Sequence, residues 1–290
     1  MWERYTQIFS ESFGGYGRYL IGEIIHPSWH SYFYGLLLVS LVVYVLELLF
    51  PWRKNQPRIR KDFWLDGFYM FFNFFLFSLI GYNSLSNVAV EALSDLRRAL
   101  GIESLVVLDV AALPVAAQLG IMFVARDFIE YWVHRLLHRV PRLWSFHKVH
   151  HSVQQMGFAA HLRYHWMETI VYRAIEYIPL AMIGFGLQEF FVVHMIALTI
   201  GHFNHANLRV PLGPLRYVLN SSQMHIWHHA KKLPTRYGAN YGLSLSIWDW
   251  LFGTVYWPHS GRDIPLGFRH VEEYPDHFLP QMLVPFREEA

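Results

Sequence analysis

Histidine is the residue type in this sequence with the clearest capacity for chemistry, since the 290-residue chain has 18 His and no Cys. Thirteen of these His lie between residues 134 and 229, many of them in short clusters. The clusters are H-R-L-L-H (His134, His138), H-K-V-H-H (His147, His150, His151) and H-I-W-H-H (His225, His228, His229). A spacing of three or four residues puts two imidazoles on one helix face, within reach of one ion. The clusters therefore predict metal binding through imidazole nitrogens.

The number of clustered His indicates more than one ion. A catalytic zinc ion takes about three protein ligands and a structural one four, so eight or more His exceed one such site. They fit two ions, each with four or five nitrogens and an open position. Imidazole suits zinc, copper, iron or nickel, and the chain has no thiolate ligand that would select among these metals. We favour two iron ions that activate dioxygen, while a di-zinc hydrolase also agrees with the ligand count.

The composition predicts that these clusters are carried by an integral membrane protein. Hydrophobic residues make up 53% of the chain and charged residues 16%, against about 25% charged residues in ordinary soluble domains. Apolar runs at 32–50, 63–90 and 110–133 are each long enough to cross a bilayer as a helix, and 168–205 is long enough for two spans. The predicted fold is an all-α membrane bundle of four or five spans with a cytoplasmic helical cap that holds the dimetal site.

Basic residues near the span ends predict the orientation. The loop after the first apolar run contains five basic residues and no acid: Arg53, Lys54, Arg58, Arg60 and Lys61. Such loops are usually cytoplasmic. Counting spans from this loop places 134–167 and 206–290, and so the His clusters and the C-terminus, on the cytoplasmic side. The basic residues form no separate stripe, so no nucleic-acid partner is expected.

The motifs around these His resemble those of the fatty acid hydroxylase / sterol desaturase superfamily of integral-membrane di-iron oxygenases. The resemblance covers roughly 120–257 and includes D-F-I-E-Y-W-V-H-R-L-L-H, L-W-S-F-H-K-V-H-H-S, R-Y-H-W-M-E-T, N-H-A-N-L and Q-M-H-I-W-H-H-A. The stretch L-G-P-L-R-Y-V-L-N is similar to alkylglycerol monooxygenases, whereas Y-H-W-M-E-T is closer to methylsterol oxidases. The family's usual Pro after the His of that last motif is Trp166 here.

The resemblance implies a set of iron ligands. They are His134, His138, His147, His150, His151, His225, His228 and His229, with His205 as an additional ligand from the last membrane helix. It also implies two iron ions (Fe2+/Fe3+), O2 as co-substrate and a lipid substrate that enters from the bilayer. No flavin, haem or iron–sulfur motif is visible, so two electrons must come from a separate reductase or small electron carrier.

Other polar residues are expected to support the ligands. A ligating His commonly donates its second N–H to a carboxylate or carbonyl, and Asp127, Glu130 and Asp249 are the predicted carboxylate partners. His202 is a further candidate ligand, His161 and His165 are expected beside the ligands or along a substrate channel, and His194 is expected to face the bundle interior. The remaining His are expected to be structural or exposed: His26, His30, His259, His270 and His277.

These observations predict three segments and one reaction class. Residues 1–119 form N-terminal membrane helices, 120–257 the catalytic domain and 258–290 a cytoplasmic tail. The predicted activity is O2-dependent hydroxylation of a C–H bond in a lipid (sterol, acyl or alkyl). A desaturase would use the same site. A His-rich membrane metal transporter or metal-binding protein is the alternative from a different class, and a scaffold that has lost activity is a third.

Overall fold

The computed structural model describes residues 2–184 and 187–287 of the chain. This part is helical and contains no named β-strand, only three isolated bridges, which confirms the all-α prediction. The α-helices are α1 (Trp2–Ile25), α2 (Tyr32–Leu49), α3 (Phe63–Phe71), α4 (Asn83–Ala99), α5 (Val115–Arg139), α6 (Pro141–His151), α7 (Trp166–Met182), α8 (Leu187–His205), α9 (Ser222–His228), α10 (Ile247–Leu251) and α11 (Phe278–Arg287). Short 3₁₀ turns lie at Phe158–Leu162, Gly213–Tyr217 and Val271–Glu273.

Two helical stretches of the described residues are long and apolar enough to cross a membrane, α2 and Phe63–Ala99. Most of α2 is uncovered by protein: Leu38 is 62% exposed and Leu49 64% exposed. An apolar helix face of this kind is stable in hydrocarbon and costly in water. The four or five predicted spans are not confirmed, because α5 and α7 carry buried charged residues and α7 has 17 residues.

The stretch Phe63–Ala99 is continuous through two π-turns, Phe72–Leu76 and Ser78–Tyr82. Gly81 has φ +122°, a conformation that only glycine adopts without strain. The first π-turn directs Asn73 towards the centre of the molecule, where its side-chain amide donates to the carbonyls of Leu162 (3.0 Å) and Tyr164 (2.8 Å). The N-terminal helices are thus tied to the segment that follows the second His cluster.

The loop between α2 and α3 packs on the His-bearing region. The backbone N–H of Arg53 donates to Asn207 Oδ1 at 2.8 Å, and Gln56 Nε2 donates to the carbonyl of Met156 at 2.8 Å. Near the end of α2, Glu47 Oε1 accepts from the backbone N–H groups of Phe158 (2.9 Å) and Asn207 (2.6 Å). The basic loop and the His clusters therefore lie at the same end of the helices.

The C-terminal residues pack back on the helices that carry the His clusters. The backbone N–H of Gly267 donates to the carbonyl of His229 at 2.9 Å, and Tyr69 Oη donates to Gln281 Oε1 at 2.7 Å. Met282 of α11 packs with Tyr69 and Val149. The region after residue 257 thus closes over the metal-site helices, and the division into three segments stays a prediction.

Candidate metal centre

The first half of the site is a helical hairpin. α5 ends at Arg139 and carries His134 and His138 one turn apart. Val140 is extended and Pro141 starts α6 at a position where the missing proline N–H costs nothing. The chain therefore reverses at once, and α6 lays His147, His150 and His151 against the last turn of α5.

The second half comes from the end of α8 and from the seven-residue helix α9. His205 is the last residue of α8. Ser221 caps α9 by accepting from the backbone N–H of Met224 at 3.4 Å, and His225 and His228 lie on the helix with His229 at its C-cap. A helix this short is not stable alone, so its packing on α8 holds it in place.

The structure brings all nine predicted ligands together in two buried groups. One group has five members, His134, His138, His147, His151 and His228, and the other has four, His150, His205, His225 and His229. Within each group, one ligating atom per residue lies within 4.8 Å of the others. The groups adjoin, since the ring centroids of His151 and His229 are 4.5 Å apart. This arrangement could hold two neighbouring metal ions.

Five of the imidazoles are oriented by an acceptor on the outer side of the ring. A backbone carbonyl can only accept, and so can the Glu168 carboxylate while it is ionised, so the facing Nδ1 carries the proton and Nε2 is left with its lone pair. The Nδ1 acceptors are Tyr241 O for His134 (2.8 Å), Glu168 Oε2 for His147 (2.7 Å), Arg163 O for His150 (3.0 Å), Gly201 O for His205 (2.8 Å) and Ala239 O for His228 (2.9 Å). All five therefore present Nε2 lone pairs to the centre.

Each group contains a pair of facing lone pairs that needs a cation. The Nε2 atoms of His134 and His147 lie 3.1 Å apart, and those of His150 and His205 3.2 Å apart. With Glu168 ionised, each of the four neutral rings carries its proton on Nδ1, so neither pair can form a hydrogen bond. Burial lowers the pKa of His147 to about 3 and that of His150 to about 4, so these rings are neutral at physiological pH. The donor set therefore fits one metal ion between each pair.

Three more imidazole rings have at least one nitrogen without a hydrogen-bond partner. Among residues 2–184 and 187–287, neither nitrogen of His151 has a hydrogen-bond partner, and Nδ1 of His225 and of His229 has none either. A buried polar atom without a partner costs about 1–3 kcal/mol. Coordination of His151 would remove that cost, which adds to the agreement between these residues and a metal centre.

The carboxylate that contacts a ligand is Glu168, which was not predicted. Glu168 is the third residue of α7 and forms a capping box with His165, while its Oε2 accepts from His147. The motif R-Y-H-W-M-E-T contained the signal, because a Glu three residues after a helix N-cap is typical of capping boxes. Trp166 takes the first helical position, where proline is equally suited.

The predicted partners Asp127, Glu130 and Asp249 do not contact a ligand directly in the described residues. Asp127 accepts from the backbone N–H groups of Ser244 (2.8 Å) and Leu245 (3.1 Å). Asp249 accepts from the N–H groups of Tyr241 and Gly242, both at 2.8 Å. These two acids fix the 239–245 loop, and backbone carbonyls of this loop orient His134 and His228. The two acids therefore support the ligands through the loop and not by direct contact. Burial raises the pKa of Asp249 to about 6.

Glu130 differs from the other two acids. It forms an ion pair with Arg126, one turn earlier on α5, and lines the cavity described below. Its carboxylate is engaged by Arg126 and lies at the cavity wall, so it does not bond to an imidazole Nδ1.

The remaining His fall outside the two groups. His202 Nε2 lies 3.1 Å from Ser40 Oγ and its Nδ1 lies 3.0 Å from His161 Nδ1, so His202 is a neighbour of the ligands. His161 and His194 line the cavity, as the sequence predicted for interior positions. His165 caps α7 and its Nε2 lies 3.1 Å from the carbonyl of Met282, which makes it structural. The other five are exposed: His26, His30, His259, His270 and His277.

An internal cavity of about 180 Å³ adjoins the metal groups. Five of the predicted ligands line it: His134, His147, His150, His205 and His225. Its far walls come from α5, α7 and α8, with Phe74 of the first π-turn. A substrate atom in this cavity would be next to both groups.

A second, larger pocket of about 780 Å³ lies beside the five-membered group and shares no lining residue with the cavity. Its lining includes four basic residues, Arg139, Lys148, Arg236 and Arg269, and a single acid among the described residues, Glu273. Trp144 also lines it, and its ring centroid lies 5.0 Å from that of His138 and 5.1 Å from that of His151. His138 is itself a lining residue, so this basic pocket reaches the five-membered group directly.

Comparison with known proteins agrees with this site. Residues 119–254 match the family model described as fatty acid hydroxylase. All nine clustered His lie inside the matched segment, and the resemblance on which the ligand assignment depends is confirmed for it. No solved structure matches the chain.

The similar curated proteins are lipid-modifying enzymes by name. The chain is 34% identical over 173 residues to the ornithine lipid hydroxylase OlsE of Rhizobium tropici, covering 60% of this chain and 51% of that protein. It is 35% identical over 136 residues to the human (Homo sapiens) alkylglycerol monooxygenase, covering 46% and 29%. It is 26% identical over 142 residues to the very-long-chain aldehyde decarbonylase GL1-10 of Oryza sativa subsp. japonica, covering 48% and 46%. The chain spans about half or less of these relatives.

Proposed function

We propose that this protein is a membrane-bound non-haem di-iron oxygenase that hydroxylates a C–H bond in a lipid. The observation that carries the proposal is that each His group has two facing imidazole lone pairs, and that all four of these rings lie at or next to the wall of one cavity. The relatives named as a lipid hydroxylase and a monooxygenase support the reaction class. In the balanced reaction, C–H, O2, two electrons and two protons give C–OH and water.

The two His groups would hold the two iron ions. Bound iron would supply the reduction of O2 and the transfer of one oxygen atom to carbon. The chain's own contribution is to keep nine imidazoles neutral and convergent, through burial and through acceptors such as Glu168 and the 239–242 carbonyls. The surrounding side chains also exclude bulk water from the cavity, so that the substrate C–H bond is the group nearest to the site.

The exposed apolar surface supports membrane spans and a lipid substrate. Leu38, Leu41 and Leu49 of α2 are all more than half exposed. The basic loop at 51–61 hydrogen-bonds to residues near the His clusters. Since basic loops are usually cytoplasmic, this contact supports a cytoplasmic position for the metal site and the C-terminus. We infer that α2 and Phe63–Ala99 span the bilayer and that α5, α7 and α8 complete the four or five spans.

The basic pocket supports a separate electron donor. Its four basic residues outnumber its acid, and opposite charges steer association between proteins. His138 lines this pocket directly, and Trp144, which also lines it, is in ring contact with His138 and His151. We infer that an acidic electron carrier or reductase docks here, so electrons enter through a different pocket from the substrate.

The decisive test combines metal analysis with isotope labelling. The purified protein, loaded with iron and supplied with a chemical reductant and a lipid extract, should bind two irons and add one ¹⁸O atom from ¹⁸O2 to a lipid. His150→Ala should abolish turnover and lower bound metal, whereas His277→Ala at the exposed C-terminal region should change neither. One zinc per chain with O2-independent turnover, or equal effects of both substitutions, would overturn the proposal. Metal accumulation inside proteoliposomes without lipid oxidation would show a transporter instead.

A further inference from the structure

The cavity beside the metal groups contains an unusual number of buried charges for a site that takes a lipid. Arg126 and Glu130 of α5 and Arg173 and Glu176 of α7 all line it. Arg126 is 8% exposed, Glu130 6% and Glu176 3%. Charged side chains are rare within apolar helices and mark functional sites when they face an interior cavity.

Ion pairs within the protein satisfy only some of the polar atoms of these charged side chains. Arg126 Nη2 forms an ion pair with Glu130, and Arg173 Nη1 lies 3.5 Å from Glu176 Oε2. In the part of the chain that the structure describes, however, Arg126 Nε and Glu176 Oε1 have no hydrogen-bond partner. One unsatisfied donor and one unsatisfied acceptor therefore remain on the wall of the same cavity.

The two carboxyl groups also lie on the wall of the same cavity, Glu130 on α5 and Glu176 on α7, and these two helices pack on each other. Buried like charges repel strongly at low dielectric unless a proton or a cation lies between them. A ligand ammonium at this point would bind both carboxylates, and an adjacent anionic group would accept from Arg126 Nε.

An apolar substrate would leave these buried polar atoms without hydrogen-bond partners. A hydrocarbon in the cavity would satisfy neither Arg126 Nε nor Glu176 Oε1, and each unsatisfied buried group is expensive. The volume of about 180 Å³ is also below the ~300–1,000 Å³ of pockets that enclose drug-sized ligands. It has room for a small polar group and not for a whole lipid.

We propose that this cavity binds a zwitterionic lipid head group, with its ammonium on Glu130 and Glu176 and its anionic group on Arg126. The inference rests on the proposed function and specifies its substrate class. Because the same cavity is lined by His134, His147 and His150, the C–H bond that is oxidised belongs to the head group or lies close to it. The apolar part of the lipid leaves past Phe74 of the first π-turn and Leu198 of α8, which belong to one apolar cluster at the cavity wall.

A binding assay without turnover tests the head-group site. The iron-loaded protein in nanodiscs, kept free of O2, is titrated with three lipids: an aminoacyl lipid with a free carboxylate and ammonium, phosphatidylethanolamine, and diacylglycerol. Either zwitterionic lipid should bind at least about tenfold more tightly than diacylglycerol, since hydrogen bonds between charged groups have this magnitude. The one preferred identifies the anionic group as carboxylate or phosphate. Equal affinity for all three would overturn the inference.

Substitutions assign the binding to the two walls. Glu176→Gln should weaken the binding of the zwitterionic lipid about tenfold or more and leave diacylglycerol binding unchanged. Its melting temperature should not fall, because the repulsion with Glu130 is relieved. Arg126→Lys keeps the charge but removes Nε, and should also weaken binding. Glu272→Gln is the matched control, since Glu272 pairs with Lys231 on the surface. Unchanged zwitterion affinity in Glu176→Gln and Arg126→Lys would refute the assignment.

The position of the oxygen atom separates this inference from the proposed function. With ¹⁸O2, fragmentation of the product should place the label in the head-group fragment. A label far along an acyl chain would overturn the head-group site while leaving an oxygenase. Failure of every lipid to be oxidised, with binding still dependent on Glu176, would overturn the oxygenase and leave the head-group site.

Discussion

Glu168 offers a sharp test of how the metal centre is held together, because it makes two separable contacts. Its Oε2 accepts from His147 Nδ1 at 2.7 Å with both side chains less than 5% exposed, and its Oε1 accepts from the backbone N–H of His165 at 3.3 Å. The first contact orients a metal ligand. The second belongs to the capping box that starts α7.

Glu168→Ala removes both contacts, so we expect two effects of known size. Loss of an outer partner of a ligating His weakens metal binding about 10–100-fold, which corresponds to roughly 1.4–2.7 kcal/mol. Loss of a helix cap costs about 1 kcal/mol of stability, and this lowers the melting temperature by a few degrees in a chain of this size. Glu168→Gln should retain the cap and lose less metal affinity.

The matched control is His165→Ala, which removes the other half of the capping box. His165 Nδ1 accepts from the backbone N–H of Met167 at 3.1 Å and does not touch the two metal groups. This variant should lose stability by a similar amount and bind metal like the wild type. Competition with a chelator gives the affinity and a thermal scan gives the stability. If Glu168→Ala lowers only the melting temperature, Glu168 is a helix cap and the reasoning about His147 is refuted.

Three further predictions follow from the surroundings of the site. Gly201→Ala should abolish most activity, because a Cβ at this position would overlap the His161 ring. The control is Gly22→Ala, whose Cβ meets no atom within 4 Å and which should stabilise α1 by up to about 1 kcal/mol. Comparable activities in the two variants would contradict this prediction. Asp249→Asn should destabilise the fold by about 1–3 kcal/mol, because its amide would face the Gly242 N–H, and it should also lower the amount of bound metal. Thermal scans measure the first effect and chelator titrations the second. Asp263→Asn, whose side chain is 74% exposed, should show neither effect. Arg236→Glu in the basic pocket should raise KM for an acidic electron carrier and leave turnover with a small chemical reductant unchanged; a salt-independent KM in the wild type would refute docking at this pocket.

Much of the metal centre could be predicted from local spacing. Two His placed three or four residues apart on a helix must share a face, and the motifs on α5, α6 and α9 are of this kind. His205 came from the family resemblance and lies in the four-membered group. The apolar runs around α2 and Phe63–Ala99 were also visible, because hydrophobic length is a property of the local sequence.

The partners of the ligands could not be predicted in the same way. Asp127 and Asp249 were expected to bond to imidazoles, yet they bond to backbone N–H groups of the 239–245 loop. The chain enters that loop at Gly238 and turns at Asn240, both with positive φ, and the Asn240 side-chain amide donates to the carbonyls of Met224 and Tyr256. The direction of its carbonyls depends on those distant contacts.

The sequence by itself determined which side chains can bind metal, since residue type and helical period decide both the donor atoms and the shared face. The tertiary structure decided how nine imidazoles divide into groups of five and four, because that division depends on how α5, α6, α8 and α9 meet in space. It also decided that Arg126 and Glu176, which lie fifty residues apart on two helices, line one cavity. The sequence shows which side chains are charged. Whether a charged side chain is buried, and so whether it needs a partner such as a ligand, depends on how the helices pack.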